Sequence, residues 1–495
     1  MKKIEHLDFK NTYAQLPNDF FSKVTPTPLS EPVMASVNNA VASLLELDGN
    51  DLRTPFGLEV LSGQRLLDDM QPIAQCYAGH QFGHLVPRLG DGRAILLGEV
   101  KTEKHGKWDL QLKGSGKTHY SRDGDGRAVL RSTIREYLCS EAMHGLGIPT
   151  TRALCMMDSN EEVYREQIER GALLVRTAPS HVRFGTFEYF YYSQQHEQIK
   201  VLLNYVAEHV YPELKDVENP ALHLLGIVID RTASLIAQWQ SVGFAHGVMN
   251  SDNMSVLGLT MDYGPFGFLD AYNPDFICNH SDHHGRYAFN QQPNIGLFNL
   301  SCLAQALLPA MPEPVDEAVN AAKQALENYG ACYAEHSAKL MRAKLGLTSE
   351  QTDDQALLEK LLNIMAADQV DYTIFFRQLC DFSTSNQDNH RHIKDLFIQQ
   401  PAIDDWLARY QQRLKNENSL DDSRRKNMLQ TNPKYILRNY MAELAIKQAE
   451  DEHDYQEIDT LLHLLQSPFE EHPDMERYAG LPPDWANRIS VSCSS

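Results

Sequence analysis

The sequence predicts an α+β fold in which a strand-rich lobe precedes a larger helical lobe. The strand-rich lobe is indicated by short, turn-linked segments before residue 190, one of which alternates polar and apolar side chains. The helical lobe is indicated by long amphipathic segments that dominate the chain from about residue 195. We therefore divide the chain into an N-terminal extension at 1–75, a sheet lobe at 76–190, a helical lobe at 191–310 and a helical C-terminal extension at 311–495.

Length and composition are those of an ordinary globular protein. The 495 residues allow more than one domain at about 100–200 residues per domain. The net charge of −21 argues against broad binding to nucleic acid, which requires a basic face. No uninterrupted apolar run approaches the roughly 18 residues of a membrane span, and residues 1–9 lack the apolar region of a secretory signal. We therefore expect a cytoplasmic monomer that binds neither nucleic acid nor membranes.

The N-terminal extension mixes turn signals with two stretches that are predicted to be helical in part, Ser36–Leu47 and Gly57–Met70. It is followed by Tyr77–His84, a shaped loop rich in glycine and histidine. Two residues of this loop, His80 and His84, could bind a metal ion. The interpretation as hydrogen-bonded loop histidines is favoured.

The sheet lobe is predicted to contain strands on either side of one amphipathic helix. Its elements are, in order, strands at Ala94–Lys101 and Trp108–Lys113, a helix at Arg131–Leu146, and strands at Ala153–Met157 and Ala172–Arg176. This order is typical of a protein-kinase N-lobe, in which a strand lysine holds phosphates and a helix glutamate holds the lysine. Lys113 and Glu136 occupy those positions, and the alternative for such a pair is a solvated surface contact.

Two Asp-Gly-Arg turns, at 91–93 and 125–127, supply residue types that suit phosphate. Glycine lets the backbone approach a ligand closely, and arginine offers a bidentate fork. Composition alone favours two ordinary turns. Between them, Gly114–Thr118 resembles part of a P-loop, but Gln111 stands where the first glycine is required and a loop follows instead of a helix. We therefore reject a P-loop.

The helical lobe carries the segment around which the chain is organised, Phe244–Met254. Amphipathic segments at Glu197–Leu214 and Leu222–Val242 precede it and are predicted to be helices. A further helix is predicted within Gln291–Gln305, and residues 314–465 are predicted to be almost entirely helical.

His246, Asn253 and Asp262 match the spacing of a kinase catalytic loop and the D-F-G motif that follows it. In that pattern the asparagine and the second aspartate hold metal ions, and an earlier aspartate accepts the proton of the substrate hydroxyl. The position of the earlier aspartate is occupied by Val248, which cannot accept a proton, and a carboxylate returns only at Asp252. The sequence therefore predicts a kinase-like site whose base has moved to Asp252.

Several other polar side chains could contribute to this site. Asn253 and Asp262 offer only oxygen ligands, which Mg²⁺ or Mn²⁺ prefers when it also bridges phosphates. Arg176 and Arg183 suit a cleft wall, although both could instead form surface ion pairs. The histidine cluster at 280–284 resembles a metal site, but it lies where a kinase has its mobile activation segment. Substrate contacts or loop hydrogen bonds are favoured there.

The eight cysteines include no C-x-x-C pair, which argues against a structural zinc site. Most are expected to be small buried residues. Cys493 lies in a polar tail, where an exposed thiol could be a redox handle, although its position alone favours an inert thiol.

Together these motifs resemble the selenoprotein O family, whose members are kinase-fold pseudokinases that act as protein adenylyltransferases. The resemblance covers nearly the whole chain. It rests on motifs in the order of the family, namely Tyr77–Gly83, Leu89–Arg93, Leu110–Gly116, Tyr120–Arg127, His246–Asn253, Asp262–Gly264, Asn432–Tyr440 and Val491–Ser495.

The resemblance implies that ATP presents its α-phosphate, so that AMP passes to a Ser, Thr or Tyr hydroxyl of a protein and pyrophosphate leaves. It implies that Glu136 pairs with Lys113, that Asp252 is the general base, and that Asn253 and Asp262 hold Mg²⁺ or Mn²⁺. It implies nucleotide contacts at Gly90, Gly92, Arg93, Lys113, Asp125, Gly126, Arg176, Arg183 and Asp262.

Two further expectations come from the resemblance. Transfer of UMP is associated with bacterial members, so UTP is a second candidate co-substrate. A regulatory disulfide is suggested between Cys278, in the predicted activation segment, and Cys493, which stands where eukaryotic members carry selenocysteine.

Two alternatives stay open beside nucleotidyl transfer. The first is a kinase that transfers the γ-phosphate, and Val248 at the position of the kinase base argues against it. The second is a catalytically silent, nucleotide-binding pseudokinase scaffold. The presence of every predicted phosphate and metal ligand argues against a pure scaffold.

Overall fold

The computed structural model describes residues 1–385 and 390–492 and consists of a sheet lobe followed by a helical lobe. This order confirms the predicted α+β arrangement. The strands are, in chain order, β1 Phe21–Lys23, β2 Val33–Val37, β3 Ile73–Gln75, β4 Gly79–Gln81, β5 His84–Val86, β6 Ala94–Lys101, β7 Lys107–Lys113, β8 Ala128–Val129, β9 Arg152–Tyr164, β10 Ile168–Ala178, β11 Phe244–Ala245 and β12 Gly267–Phe268.

The helices account for most of the chain after residue 184. In chain order they are α1 Asn39–Leu44, α2 Gly49–Leu52, α3 Pro55–Leu61, α4 Leu130–Gly145, α5 Phe184–Tyr192, α6 His196–His209, α7 Pro220–Ser241, α8 Gln292–Leu307, α9 Val315–Glu327, α10 Tyr329–Lys344, α11 Asp354–Asp368, α12 Tyr372–Leu379, α13 Arg391–Lys394, α14 Gln400–Asn416, α15 Asp421–Thr431, α16 Asn439–Glu452 and α17 Gln456–Gln466.

One antiparallel sheet forms the body of the N-terminal lobe, with the strand order β1-β3-β6-β7-β10-β9-β2 and with β8 paired to β10. The four strands predicted in this lobe are confirmed, and β9 and β10 extend beyond their predicted bounds because they pair with each other as a long hairpin. The segment before residue 76 supplies β1, β2 and β3, so it contributes strands at both edges of this sheet. Edge strands from the extension thus cover the backbone groups that β6 and β9 would otherwise expose.

The helix predicted over Ser36–Leu47 is wrong at its beginning. Val33–Val37 forms β2, because this stretch pairs with β9 at the edge of the sheet. Asn38 then caps α1, and its side-chain oxygen accepts hydrogen bonds from the backbone N–H groups of Ala40 and Val41 at 3.1 and 3.4 Å. The apolar residues that predicted a single helix therefore belong partly to β2 and partly to α1. Both elements contain apolar residues, because a buried strand needs them as much as a helix does.

The helix α4 is the central element of the sheet lobe. Its apolar residues Ile134, Leu138 and Ala142 follow each other at four-residue steps, and their side chains are buried in one hydrophobic cluster with Met156 and Leu174 of the sheet. The opposite side of α4 packs on α16 and α17 of the C-terminal extension. Because α4 is covered on both sides, its orientation, and that of the Glu136 side chain it carries, is set by the core.

The helix α7 is the core helix of the helical lobe and leads directly into β11. By length and composition it is apolar enough to cross a membrane, although 56% of its most apolar window is buried inside the molecule. It packs on α8, α9 and α10 through residues such as Leu225, Ile229 and Ile236. Asp230 is exposed on its outer face, which is the pattern of a buried helix of a helical bundle.

A buried arginine joins the C-terminal extension to the helical lobe. Arg438, which precedes α16, forms ion pairs with Asp270 and, at 2.9 Å, with Asp371. The side chains of Arg438 and Asp371 are 2% and 3% exposed. Removing one partner of such a pair leaves the other charge buried and uncompensated.

We predict that Arg438→Ala lowers the free energy of unfolding by about 3–5 kcal/mol, because Asp371 would remain buried without its cation. Urea denaturation followed by tryptophan fluorescence measures the change. Arg409→Ala is the matched control, because Arg409 pairs with Asp405 on the surface and is 62% exposed. Equal midpoints for the two variants would contradict the prediction.

Candidate functional site

A cavity of about 590 Å³ lies between the glycine-rich loops of the sheet lobe and the segment 248–265 of the helical lobe. Most of the residues that the sequence assigned to a site line this cavity. They are Gly90, Gly92, Arg93, Lys113, Asp125, Gly126, Arg176, Asp252, Asn253 and Asp262. Glu136 and Arg183 lie directly behind the wall and contact residues that form it.

Asp262 is the electrostatic centre of the cavity. Its Oδ1 lies 2.6 Å from Nη1 of Arg176, and its Oδ2 lies 2.6 Å from Nη1 of Arg183. Nζ of Lys113 is 3.6 Å from Oδ1. Burial alone would raise the pKa of Asp262, but the three cations hold that pKa well below its usual range. Asp262 is therefore a permanent carboxylate.

The backbone of Asp262 is also unusual, because its φ of 56° lies in the left-handed region. A non-glycine residue adopts this conformation at a cost of order 1 kcal/mol or more, and it persists where the surroundings over-determine it. The contacts with Arg176 and Arg183 supply that constraint here. The carboxylate of Asp262 faces Arg176 of β10 and Arg183, which directly precedes α5.

Glu136 links the helix α4 to this group of charges. Its Oε2 accepts a hydrogen bond from Nζ of Lys113, and its Oε1 accepts one from Nη1 of Arg176 at 2.9 Å. All three side chains are at least nine-tenths buried. Two carboxylates, Glu136 and Asp262, thus face Lys113 and Arg176, and Arg183 adds a third positive charge. The excess of positive charge suits an anionic ligand.

Asp252 lies in a 3-10 turn, Ser251–Asn253, and its electrostatic surroundings differ from those of Asp262. Its backbone carbonyl accepts a hydrogen bond from Arg183 at 2.8 Å, but its carboxylate contacts Gln81 only at 3.5 Å. Within the described residues, Oδ1 of Asp252 has no hydrogen-bond partner. Burial raises the pKa of Asp252 to about 7, although Arg183 opposes the shift. Such a group can accept a proton near neutral pH.

Asn253 adjoins Asp252 in the same turn. Its amide nitrogen donates a hydrogen bond to the carbonyl of Val248 at 3.0 Å, which closes the loop on itself. This bond leaves the amide oxygen as the atom that can bind a cation. The oxygen donors of Asn253 and Asp262 line one cavity, so they form a set that fits Mg²⁺ or Mn²⁺.

His246 has a structural position in this site. Its ring is buried, and Nε2 lies 3.0 Å from the carbonyl of Met261. Its backbone N–H donates to Oε1 of Gln292 on α8 at 2.9 Å. The histidine therefore ties the loop that carries Asp252 to the segment that carries Asp262.

Glycine is required in the two loops that line the top of the cavity, 89–93 and 114–127, because their backbones are closely packed. Gly90 has a φ of 74°, and a Cβ atom there would lie 2.3 Å from the ring of Tyr120. Gly126 has a φ of 73°, and a Cβ atom there would lie 2.1 Å from the carbonyl oxygen of Gly116. The sequence suggested that glycine in the Asp-Gly-Arg turns, of which Gly126 is one, allows close approach of a ligand. The first effect of Gly90 and Gly126 is to allow close approach of the loops themselves.

The two Asp-Gly-Arg turns differ in how their charges are used. In the first turn, Asp91 is buried and accepts the backbone N–H of Gln75 at 3.0 Å, while Arg93 is exposed at the cavity. In the second turn, a bidentate hydrogen bond from Arg165, at 2.7 and 2.9 Å, lowers the pKa of Asp125. Arg127 is engaged by Glu161 at 2.7 Å. Of the two motif arginines, Arg93 is therefore the one suited to a ligand.

Comparison with known proteins identifies the family. A family model described as protein adenylyltransferase SelO matches residues 3–466. The chain belongs to the SelO family. A relative from Thioalkalivibrio sulfidiphilus is 53% identical over 498 residues, with 100% of both chains covered. Relatives from Myxococcus xanthus and Thiobacillus denitrificans are each 52% identical over 495 residues, again with 100% of both chains covered.

All three relatives bear the name protein nucleotidyltransferase YdiU. The family description and the names of the relatives both indicate a protein nucleotidyltransferase. The matched range of the SelO model includes every predicted site residue except Cys493.

Sequence reasoning missed several residues that shape the cavity of this SelO-family chain. The ring of Tyr77 lies beneath the guanidinium of Arg183, 4.3 Å from its Cζ to the ring centroid. Gly79 packs so closely on Asp252 that a Cβ atom would lie 2.2 Å from its Oδ1. Gln81 contacts the other carboxylate oxygen. The signal available in the sequence was the glycine-rich composition of residues 77–84. This composition predicted a shaped loop, but it did not indicate that the loop packs on Asp252.

The predicted redox pair is described in part. Cys278 is buried, and its thiol donates to the carbonyl of Ala245 at 3.5 Å. The carbonyl of Val491 accepts the backbone N–H of His280 at 2.8 Å, so the C-terminal tail reaches the segment that contains Cys278. Cys493 lies outside the described residues, and its pairing with Cys278 stays a prediction.

We predict that Gly79→Ala destabilises the protein by about 1–3 kcal/mol, because the new methyl group overlaps the Asp252 side chain. The overlap includes Cβ of Asp252 at 2.7 Å, so rotation of the carboxylate alone does not relieve it. The free energy of unfolding from urea denaturation measures the loss.

Gly330→Ala is the matched control for this prediction. Gly330 lies in α10, and among the described residues no neighbour comes within 4 Å of a Cβ atom there. Alanine in a helix is favoured over glycine by roughly 0.5–1 kcal/mol, so this variant should be neutral or slightly more stable. A neutral Gly79→Ala would show that the Asp252 loop is not held by this contact.

Proposed function

We propose that this chain is a metal-dependent protein adenylyltransferase with a kinase-like fold. It transfers AMP from ATP to a Ser, Thr or Tyr hydroxyl of a protein substrate and releases pyrophosphate, with UTP as a second candidate co-substrate. The observation that carries the proposal is the placement of two unlike carboxylates in one cavity. Asp252 can accept a proton near neutral pH, whereas Asp262 stays ionised among three cations.

The proposed kinase-like fold is supported by the origin of the charged residues. Lys113 ends a central strand of the sheet, and its partner Glu136 lies on the helix that covers that sheet. Asn253 and Asp262 come from a loop and a left-handed turn that follow the core helix α7. This is the arrangement of the phosphate-binding and metal-binding residues in a protein kinase.

The chemical step is an in-line displacement at the α-phosphorus of the nucleotide. The acceptor hydroxyl oxygen forms a bond to this phosphorus, and the bond from the phosphorus to the bridging oxygen of pyrophosphate breaks. The hydroxyl proton passes to the carboxylate of Asp252, which is ionised in the fraction of molecules that can react. Val248 occupies the position of the kinase base, so Asp252 is the base that the loop offers.

The cations of the cavity stabilise the charge that develops on the phosphates. Lys113 and Arg176 are buried donors fixed by Glu136, and Arg93 adds an exposed guanidinium. Preorganised donors of this kind are effective because they need no reorganisation during the reaction. When bound, a divalent cation held by Asn253 and Asp262 supplies further neutralisation of phosphate charge.

Arg183 is a positioning residue in this proposal. One of its nitrogens, Nη1, donates hydrogen bonds to both the backbone carbonyl of Asp252 and the carboxylate of Asp262. It therefore sets the separation between the base and the metal-binding carboxylate. Its guanidinium is buried over the ring of Tyr77, so it cannot move without disturbing that contact.

The first test distinguishes adenylyl transfer from phosphoryl transfer. Two samples of ATP, labelled on the α- or the γ-phosphate, are incubated with the protein, Mg²⁺ or Mn²⁺ and a protein mixture. We expect protein-bound label from α-labelled ATP only, and none with Asp262→Ala. Label retained only from γ-labelled ATP would establish a kinase instead. Absence of both labels, with ATP still bound, would support the scaffold.

The second test concerns the pKa of Asp252. Because the pKa is raised to about 7, the reactive carboxylate is the minor form at lower pH and the major form at higher pH. We expect the single-turnover rate constant to rise about tenfold per pH unit below pH 7 and to level off above it. Asp252→Asn should lower this rate constant roughly 10²–10⁴-fold and abolish the pH dependence.

The control for the second test is nucleotide binding. Asp252→Asn keeps the size of the side chain, so its affinity for the nucleotide should stay close to that of the unchanged protein. A rate constant independent of pH from 5 to 8 would remove Asp252 from the role of base.

A further inference from the structure

Three side chains with metal-binding atoms meet next to the loop that carries Asp252, outside the nucleotide cavity. They are His80 of β4, Glu188 of α5 and Cys302 of α8. One imidazole nitrogen, one carboxylate oxygen and the thiol sulfur lie within 4.8 Å of one another. Among residues 1–385 and 390–492, this is the one group of three or more His, Cys, Asp or Glu side chains with such close ligand atoms.

The carboxylate of Glu188 is buried in the cluster and only one of its oxygens has a partner. Its side chain is 0% exposed, and Oε2 lies 2.5 Å from Nδ1 of His80. The other oxygen, Oε1, is buried and has no hydrogen-bond partner within the described residues. A carboxylate with an unpartnered buried oxygen is costly, and each such group in a native protein calls for an explanation such as a bound ion.

The surroundings of the cluster are those of a closed site. The imidazole of His80 makes edge contacts with the rings of Tyr192 and Phe298, at centroid distances of 5.8 and 5.9 Å. Cysteine binds divalent ions such as Zn²⁺ through its thiolate sulfur. A neutral imidazole, a carboxylate and a thiolate together balance the two charges of such an ion.

We infer that His80, Glu188 and Cys302 form a zinc site, separate from the oxygen-donor site of the nucleotide cavity. One nitrogen, one oxygen and one sulfur ligand suit Zn²⁺, whereas Mg²⁺ requires oxygen ligands. The ligands lie 108 and 114 residues apart along the chain. The absence of a C-x-x-C pair argued against a zinc site with ligands close together in the sequence. That argument does not apply to ligands that lie this far apart.

The site would connect three elements that position the proposed base. The backbone N–H of His80 donates to Oγ of Ser251 at 2.7 Å, and Ser251 directly precedes Asp252. Gly79, the neighbour of His80, packs on the Asp252 side chain. An ion bound by these three ligands would connect β4 to α5 and α8, and through β4 it would stabilise the loop that carries Asp252. The inference itself does not rest on nucleotidyl transfer, because it concerns metal binding alone.

Cobalt substitution tests the inference directly. The protein is stripped with a chelator, and Co²⁺ is added to the full chain at one equivalent. We expect a thiolate-to-cobalt charge-transfer absorption in the near ultraviolet, which oxygen ligands at Asn253 and Asp262 cannot produce. Added Zn²⁺ should abolish this absorption. Its absence from the unchanged protein would overturn the inference, whatever the behaviour of the variants.

Variants assign the absorption to the cluster. Cys302→Ser should abolish it, and Glu188→Gln should weaken zinc affinity at least about tenfold, since the loss of even an outer-shell partner typically costs 10–100-fold. The matched control is Cys332→Ser, because Cys332 is a partly exposed cysteine of α10 outside the cluster. An absorption that persists in Cys302→Ser, or disappears in Cys332→Ser, would contradict the assignment.

Thermal denaturation provides a readout that does not depend on spectroscopy or activity. Zn²⁺ should raise the midpoint of the unchanged protein and of Cys332→Ser, because an ion that binds only the folded chain stabilises it. Cys302→Ser should show no such increase. Equal increases in all three proteins would show that zinc binds elsewhere.

Discussion

The neutralisation of one buried carboxylate organises the site. Asp262 lies in a left-handed turn and receives Arg176, Arg183 and Lys113, which come from two strands and the segment after β10. Each of these cations is desolvated, so none is stable there without an acid. Glu136 supplies the second negative charge and fixes Lys113 to α4. Ion pairs therefore join the sheet lobe to the helical lobe at the cavity, and Lys113 and Arg176 line the same cavity as Asp252.

The same low-dielectric surroundings give two aspartates opposite properties. Asp262 is surrounded by cations and its pKa is depressed, whereas Asp252 is buried with one distant amide contact and its pKa is raised. Pairs of titratable groups whose pKa values are separated in this way are typical of sites where one group binds charge and the other transfers protons. Arg183 connects the two, because one of its nitrogens contacts both residues.

The chain surrounds this centre with structure from its ends. The first 75 residues complete both edges of the sheet, and α16 and α17 cover the outer side of α4. Next to the loop of Asp252, the group of His80, Glu188 and Cys302 joins β4, α5 and α8. The cavity wall is thus backed by packed elements on each side, as a preorganised site requires.

The sequence by itself determined the order of the lobes, the central strands, α4, α7 and the spacing of His246, Asn253 and Asp262. These features are local, because alternation, helical periodicity and motif spacing depend on near neighbours along the chain. The sequence also showed that Asp252 is the one carboxylate in residues 246–254.

Tertiary structure alone decided the rest. Ser36 and Val37, the first residues of the predicted helix, belong to the strand β2 because that strand pairs with β9 at the edge of the sheet. Tertiary structure also decided that Arg183 joins Asp252 to Asp262 and that Gly79 packs on Asp252. The meeting of His80, Glu188 and Cys302 has the same origin. Contacts between residues about a hundred positions apart, and the pKa values they set, arise from packing and leave no local pattern in a single sequence.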